Sequence, residues 1–378
     1  MKSVLHIING YTGNRVYSHL ISILDSLGIK QLVYIPVRSD QDIGKYQPTV
    51  LKNTKFAYSF VIQSVFDRLF FFRKIRKISR DIESKDGFSA DSLIHAHTLF
   101  SDGGVALTLQ RKHKMEYLVA VRNTDLNLFF KYFFFLRGFG EGILLNARKV
   151  VFLSPAYRDM VLNRYVKLQN RELIGSKSVV IPNPIDPYWQ SPVYQREVYT
   201  QKQIRLLFVG EIRRNKNIHG IIQAAKILRE RGHDVKLTIV GFGLNDEKTY
   251  ARDIRKTSGP LKYVELVEKT EDKETLRQFY RGADIFVMPS FTETFGLVYA
   301  EALSQGLPLI WSKGQGIDGY FEEGEIGYSV DPKNSGIIAE KVIKIMDRYM
   351  EISHFCSAQA SLFSRERIGT IYRSLYQE

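Results

Sequence analysis

The sequence predicts an α/β chain of two domains, each built from parallel βαβ units. Three observations carry that expectation. The 378 residues exceed what one small core needs and suit two domains of similar size. Short apolar runs rich in β-branched residues alternate with helical patterns from Val4 onward. Three prolines in six positions, Pro182, Pro184 and Pro187, then stiffen the stretch Val179 to Tyr188, and the alternation restarts at Ile204. We place the domain boundary there, with residues 1–185 on one side and 186–362 on the other.

In chain order, Val4 to Ile8 is the first predicted strand and Asn9 to Asn14 a glycine-bearing turn into a helix from about Val16 to Leu27. The turn lacks the six-residue dinucleotide pattern, so Gly13 is either a substrate-facing position or part of a simple tight turn. Gln31 to Pro36 is the next strand. Phe71, Ile75, Ile78 and Ile82 then recur at helical spacing among Arg73, Lys74, Arg76, Lys77 and Arg80. The pattern is a basic amphipathic helix, either packed on its domain or resting on an anionic membrane surface through residues 68–80. Leu128 to Leu136 is a second aromatic and basic run, for which burial in the core is the preferred expectation.

Ser92 to His97 is a strand leading into a loop. His95 and His97 have no third ligand at metal-site spacing, and no metal is expected. The strand Tyr117 to Val121 delivers Arg122, Asn123 and Asp125 to the carboxyl edge of its sheet, where open α/β sheets bind ligands. Ser154 precedes Pro155 and suits a helix cap. In the second half, Gly210 and the cations Arg213, Arg214 and Lys216 follow a strand directly and suit phosphate oxygens, and Gly241 makes a similar turn after the next strand.

The most informative stretch is Pro289 to Leu303, where a strand, a loop and a helix carry Glu293 and Glu301. The free N–H groups of the helix's first turn favour an anion, and carboxylates accept from sugar hydroxyls.

Composition limits the alternatives. Cys356 is the only cysteine, which removes a disulfide framework and fits a reducing cytosol. The apolar N-terminus is too short for a signal peptide, and no apolar stretch reaches membrane-spanning length, so a cytoplasmic chain, soluble or peripheral on the membrane, is expected. Of the net charge of +14, residues 1–180 carry +13 and residues 181–378 carry +1. Basic halves meet nucleic acid, anionic lipid or phosphorylated substrates. The cations here gather on one helix and no RNA-binding aromatic motif stands on a strand, so nucleic acid is the disfavoured partner.

In order, the glycine turn, the histidine loop, the polar strand end, the Ile181 to Asp186 connector, the Val209–Gly210 basic loop, Val240 to Gly243 and the glutamate pair with Gly306-Leu-Pro308 resemble the retaining, nucleotide-sugar-dependent glycosyltransferases of the GT-B fold, family 4. The resemblance covers nearly the whole chain. It implies two Rossmann-like domains facing each other across a cleft, acceptor on the first and donor on the second, with a final helix at 363–378 returning to the first. It implies that Glu301 bonds the ribose, that Glu293 meets the transferred sugar, and that Lys216 binds phosphate. The donor side would add Arg213, Arg214, Gly210, Gly241 and the amides of Phe295, Gly296 and Leu297; the acceptor side would hold Gly13, Asn123 and Asp125. The implied donor is a nucleotide sugar, expected to be UDP-linked, and the acceptor a saccharide or lipid-linked oligosaccharide, with no cofactor. Two departures stand out. Glu211 occupies the position of a family arginine, so Arg213 or Arg214 is expected to supply that charge while Glu211 turns away or pairs with one of them. Arg122 stands where the family has histidine, so either Arg122 binds an anion or His97 takes the role. A GT-B epimerase or phosphorylase would keep the fold and change the outcome.

Overall fold

The computed structural model describes residues 2–13, 15–61, 70–190, 194, 196, 202–243 and 246–377. By its internal contacts the chain divides into two units, Met1–Pro184 with Arg365–Glu378, and Ile185–Ser364.

The first unit holds a seven-stranded sheet. Its strands are β1 (Val4–Ile7), β2 (Gln31–Pro36), β3 (Thr54–Ser59), β4 (Leu93–Ala96), β5 (Tyr117–Val121), β6 (Lys149–Phe152) and β7 (Ser178–Val180), ordered β3-β2-β1-β4-β5-β6-β7. Every neighbouring pair is parallel. Central strands β1, β4 and β5 are buried along their whole length, which is why they are apolar on both faces apart from His6 and His95 and do not alternate. The helices are α1 (Val16–Ser26), α2 (Phe71–Glu83), α3 (Ser101–His113), α4 (Arg137–Asn146), α5 (Pro155–Arg164) and α6 (Leu168–Ser176). Ser154 caps α5, its hydroxyl accepting from the Tyr157 N–H at 3.3 Å.

In the second unit β8 (Ile204–Val209), β9 (Val235–Phe242), β10 (Val264–Glu268), β11 (Ile285–Val287), β12 (Leu309–Ser312) and β13 (Gly327–Val330) form a second parallel sheet ordered β10-β9-β8-β11-β12-β13. Its helices are α7 (Ile218–Glu230), α8 (Lys248–Ser258), α9 (Lys273–Gly282), α10 (Leu297–Ser304), α11 (Ser335–Asp347) and α12 (Tyr349–Gln359). A last helix, α13 (Arg365–Gln377), belongs to the first unit, where Ile368, Tyr372, Leu375 and Tyr376 pack with Leu20, Leu24 and Val151.

Both sheets are doubly wound. The strand order reverses between β1 and β4 in one and between β8 and β11 in the other. At such a point the loops leaving the two strands diverge to opposite faces and open a crevice at the carboxyl edge. The turn after β1 and the loop after β4 occupy the first crevice, and the basic loop and the Glu293 loop occupy the second.

Helix α2 packs by its apolar stripe. Ile75, Ile78 and Ile82 are buried, and a Cβ on Gly104 of α3 would stand 2.5 Å from Ile75, so glycine there sets the close approach of the two helices. The run Leu128 to Leu136 departs from the expectation of burial. Tyr132, Phe134 and Phe135 are 60, 71 and 68% exposed, because the chain forms a π-helical turn over Asp125–Phe130 and a short 3₁₀ turn over Phe134–Leu136 that bury Leu126, Phe130 and Leu136 and turn the rings between them outward. Of the stretch 68–80, residues 68 and 69 lie outside the described residues, as does Asn14 of the first turn.

Candidate active site

The two loops at the second crevice are tied together residue by residue. The Asn215 carbonyl accepts from the Phe291 N–H at 2.7 Å, and Asn217, held at φ +56°, donates through Nδ2 to the Pro289 carbonyl at 3.1 Å and the Pro332 carbonyl at 2.6 Å. The Lys216 ammonium donates to the Glu293 carboxylate at 2.6 Å, with only 19 and 14% of the two side chains exposed. Partial burial leaves this pair less screened than a surface ion pair, and the contact fixes both groups at one spot.

Glu211 pairs with Arg213 at 2.8 Å. Of the two outcomes expected for the departed position, pairing is the one observed. Arg214 lays its guanidinium over the Tyr250 ring at 5.2 Å, while its backbone N–H donates to the Glu247 carboxylate at 3.1 Å. Gly241 cannot be another residue without movement: its φ is +137°, and a Cβ would lie 2.0 Å from the Gly210 carbonyl oxygen. Gly241 lies within β9 and not in a turn after it, so the loop after β8 touches the end of β9 backbone to backbone.

Past β11, the Glu293 backbone is clamped on both sides. Its N–H donates to Gln315 Oε1 at 3.1 Å and its carbonyl accepts from Gly316 N–H at 2.7 Å, while the Thr294 N–H donates to the Glu293 carboxylate at 3.0 Å. Phe295 is buried, its ring packed against Tyr320 and Phe363, so only its main chain faces a ligand role. Gly296, at φ +76°, turns the chain into α10, and a Cβ there would stand 2.6 Å from the Tyr299 ring. At the start of α10 the Tyr299 N–H turns back to the Gly296 carbonyl at 2.9 Å, while the N–H groups of Leu297 and Val298 precede any intrahelical acceptor. One turn on, Glu301 accepts from the Tyr280 hydroxyl at 3.0 Å. Burial pushes the Glu301 carboxyl up to about 7, against that hydrogen bond, which lowers it. The corner thus gathers two carboxylates, one ammonium and a helix N-terminus within a single unit, a set suited to a hydroxyl-bearing anion.

In the first unit the structure turns several expected site residues inward. Asp125 is 1% exposed and accepts from the N–H groups of Leu99 at 2.9 Å, Phe100 at 3.1 Å and Arg122 at 2.8 Å. It anchors two loops to each other instead of offering an acceptor contact, and burial lifts its carboxyl to about 6 despite those bonds. His97, also fully buried, meets His6 at 3.0 Å between ring nitrogens, and burial holds its pKa well below the usual histidine range. Arg122 is half-buried. Its guanidinium donates to the His97 carbonyl at 3.3 Å and to Asn183 Oδ1 at 3.0 Å and lies over the Tyr17 ring at 5.7 Å. Asn123 is exposed and bonds Asn127, and Gly13 sits in a 3₁₀ turn where a Cβ would meet nothing within 4 Å, so space does not demand glycine there.

The third histidine that sequence spacing lacked comes from β1. His6, His95 and His97 lie together, buried, with ring nitrogens within 4.8 Å of one another. The His95 and His97 rings stack at 3.9 Å and 23°, and His95 Nδ1 bonds the Tyr376 hydroxyl at 2.7 Å. Register explains why the sequence could not show this: β1 and β4 are parallel neighbours with His6 opposite His95. Tyr280, Gln315 and Gly316 were also missed. Only Gly316 carried a signal, as part of a glycine-rich turn.

Residues 195–361 match the family of glycosyl transferases group 1. The matched segment contains the whole of the second sheet and the corner just described. Similar chains include an uncharacterized glycosyltransferase of Methanocaldococcus jannaschii, 31% identical over 179 residues, and a D-inositol 3-phosphate glycosyltransferase of Paenarthrobacter aurescens, 27% identical over 247 residues. A capsular polysaccharide biosynthesis glycosyltransferase, CapM, of Staphylococcus aureus is 32% identical over 144 residues. These alignments cover 45, 63 and 37% of this chain and 45, 59 and 36% of the respective relatives, so the chain spans less than two thirds of their length. Among solved structures, sucrose-phosphate synthase of Thermosynechococcus elongatus superposes with a TM-score of 0.76 at 18% identity, covering 100% of this chain and 98% of that one. Anabaena HepE, solved with UDP and glucose, gives 0.70 at 16% identity with both chains covered 100%. At these identities the likeness is one of fold, and the fold is GT-B.

Proposed function

We propose that the chain is a retaining glycosyltransferase of family 4 type that moves a sugar from a UDP-linked donor to a saccharide or lipid-linked oligosaccharide in surface polysaccharide biosynthesis, on the cytoplasmic side of the membrane. The observation that carries this reading is the corner in which Lys216, Glu293, Glu301 and the N-terminus of α10 stand together. The match of residues 195–361 to glycosyl transferases group 1 supports it.

On this reading Glu301 accepts from the ribose hydroxyls and the amides at Phe295, Gly296 and Leu297 meet the distal phosphate. Lys216 shifts from Glu293 toward the diphosphate as negative charge develops on the leaving group, and the freed Glu293 carboxylate accepts from a sugar hydroxyl. Arg213 and Arg214 add positive charge at the same end of the site. The charge comes from side chains and helix, so the reaction is metal-independent, and the leaving phosphate receives the acceptor proton. The acceptor belongs to the first unit.

The test is UDP affinity by calorimetry together with sugar transfer or donor hydrolysis, with and without EDTA. Glu301→Ala removes a charge-assisted hydrogen bond of roughly 1.5 to 3 kcal/mol, so affinity should fall about tenfold to a hundredfold. The carboxyl titrates near 7, so wild-type affinity should rise from pH 6 to pH 8 as the carboxylate forms, and Glu301→Gln should lose that dependence. Unchanged affinity in Glu301→Ala would sink the assignment.

A further inference from the structure

The first unit carries an aromatic surface that donor chemistry does not use. The apolar stripe of α2 is already spent on the core. What faces outward instead is Phe70 and Phe72 at the start of that helix, 55 and 48% exposed, and Tyr132, Phe134 and Phe135, 60, 71 and 68% exposed. The two sets are contiguous: Phe70, Phe72, Arg73, Arg76 and Phe135 line one groove. Rings brace one another across it, Phe72 against Phe139 at 5.1 Å and Phe71 against Phe129 at 5.8 Å, so the surface is held by packing. Large apolar side chains gathered at one surface mark an interaction site.

Charge says what covers it. From Phe70 to Arg80 and from Leu126 to Gly140 the sequence holds no Asp or Glu, whereas Arg73, Arg76, Arg80 and Lys131 are exposed there. We propose that this aromatic and basic face docks on an anionic bilayer. Phenylalanine rings enter the boundary between headgroups and acyl chains, Tyr132 keeps its hydroxyl at headgroup level, and the cations meet lipid phosphates. A nucleic acid would instead need flat ring faces presented to bases, and here Phe134 and Phe135 stand edge to face at 84°. The inference goes beyond the donor reading and uses no residue of the donor site.

The experiment is flotation of the full chain with phosphatidylcholine vesicles and with vesicles containing about 30 mol% phosphatidylglycerol, at low and at physiological salt. Vesicles with phosphatidylglycerol should retain the protein roughly tenfold better or more, and salt should weaken retention. Phe134→Ser with Phe135→Ser, and separately Arg73→Glu with Arg76→Glu, should each cut retention about tenfold, with the UDP-induced shift in Tm unchanged. If the serine variant loses that Tm shift, the glutamate variant decides. Equal retention by both vesicles, wild-type flotation of the glutamate variant, or binding of single-stranded RNA in place of the anionic vesicles overturns the proposal. A wild-type protein that floats but fails to bind UDP would strike the donor reading and leave this one standing.

Discussion

Lys216 and Glu293 hold each other at 2.6 Å, and on the proposed reading a ligand competes for that pair. Removing Lys216 leaves a partly buried carboxylate without its cation and a developing phosphate charge without its donor. Lys216→Met should therefore lower turnover by about a hundredfold or more, the scale seen when one preorganised donor is lost. Glu293→Gln in the same background should cost less than the sum of the single changes, with a coupling of roughly 0.5 to 3 kcal/mol in a double-mutant cycle of kcat/KM. Strict additivity would mean that the pair does not act as a unit. Arg122 is different in kind. Its bonds to the His97 carbonyl and Asn183 make it a positioning residue for the edge of the first sheet.

At the scale of elements, the glutamate corner exists because the ends of neighbouring strands β8, β9 and β11 and the loops that follow them bond to each other. Gly241 is the tightest of these joints. Gly241→Ala adds a methyl where the Gly210 carbonyl already stands and asks alanine for a left-handed backbone. The second unit should lose about 3 kcal/mol or more, visible as a lower urea midpoint in the fluorescence of Trp189 and Trp311, both of which lie in that unit. Gly13→Ala, where a Cβ meets open space, should leave unfolding within about 0.5 kcal/mol of wild type. Equal losses at the two glycines would refute the backbone-contact argument.

For the molecule as a whole, buried titratable groups set the response to acid, and they oppose one another. Burial lowers His6 to about 3 and holds His95 and His97 well below their usual range. Their stability is present above the unfolded pKa near 6.5 and is lost as pH falls, because the unfolded chain takes up protons that the folded chain refuses. Asp102, Asp125 and Glu301 are raised by burial to about 7, 6 and 7. In these the folded chain keeps a proton that the unfolded chain releases above about pH 4, so their contribution falls as pH rises toward neutrality and returns in acid. Asp102→Asn removes one opposing group. Between pH 6 and pH 4 the variant should lose stability more steeply than wild type, by up to about 1.4 kcal/mol per pH unit, measured by urea unfolding with pulse labelling of the β1 and β4 amides. Parallel slopes would contradict this. The sequence by itself determined the two doubly wound halves, because fully buried parallel strands must be short apolar runs and proline must interrupt them. It also determined the glutamate corner, whose parts are neighbours along the chain. Only the tertiary structure decided which polar groups face a ligand. Asp125 and His97 turned inward and His6 joined His95 through strand register, while Tyr132, Phe134 and Phe135 turned outward although their run is as apolar as any core strand. Apolar content states the drive to be buried, but which side chains find partners depends on the packing of segments distant in sequence.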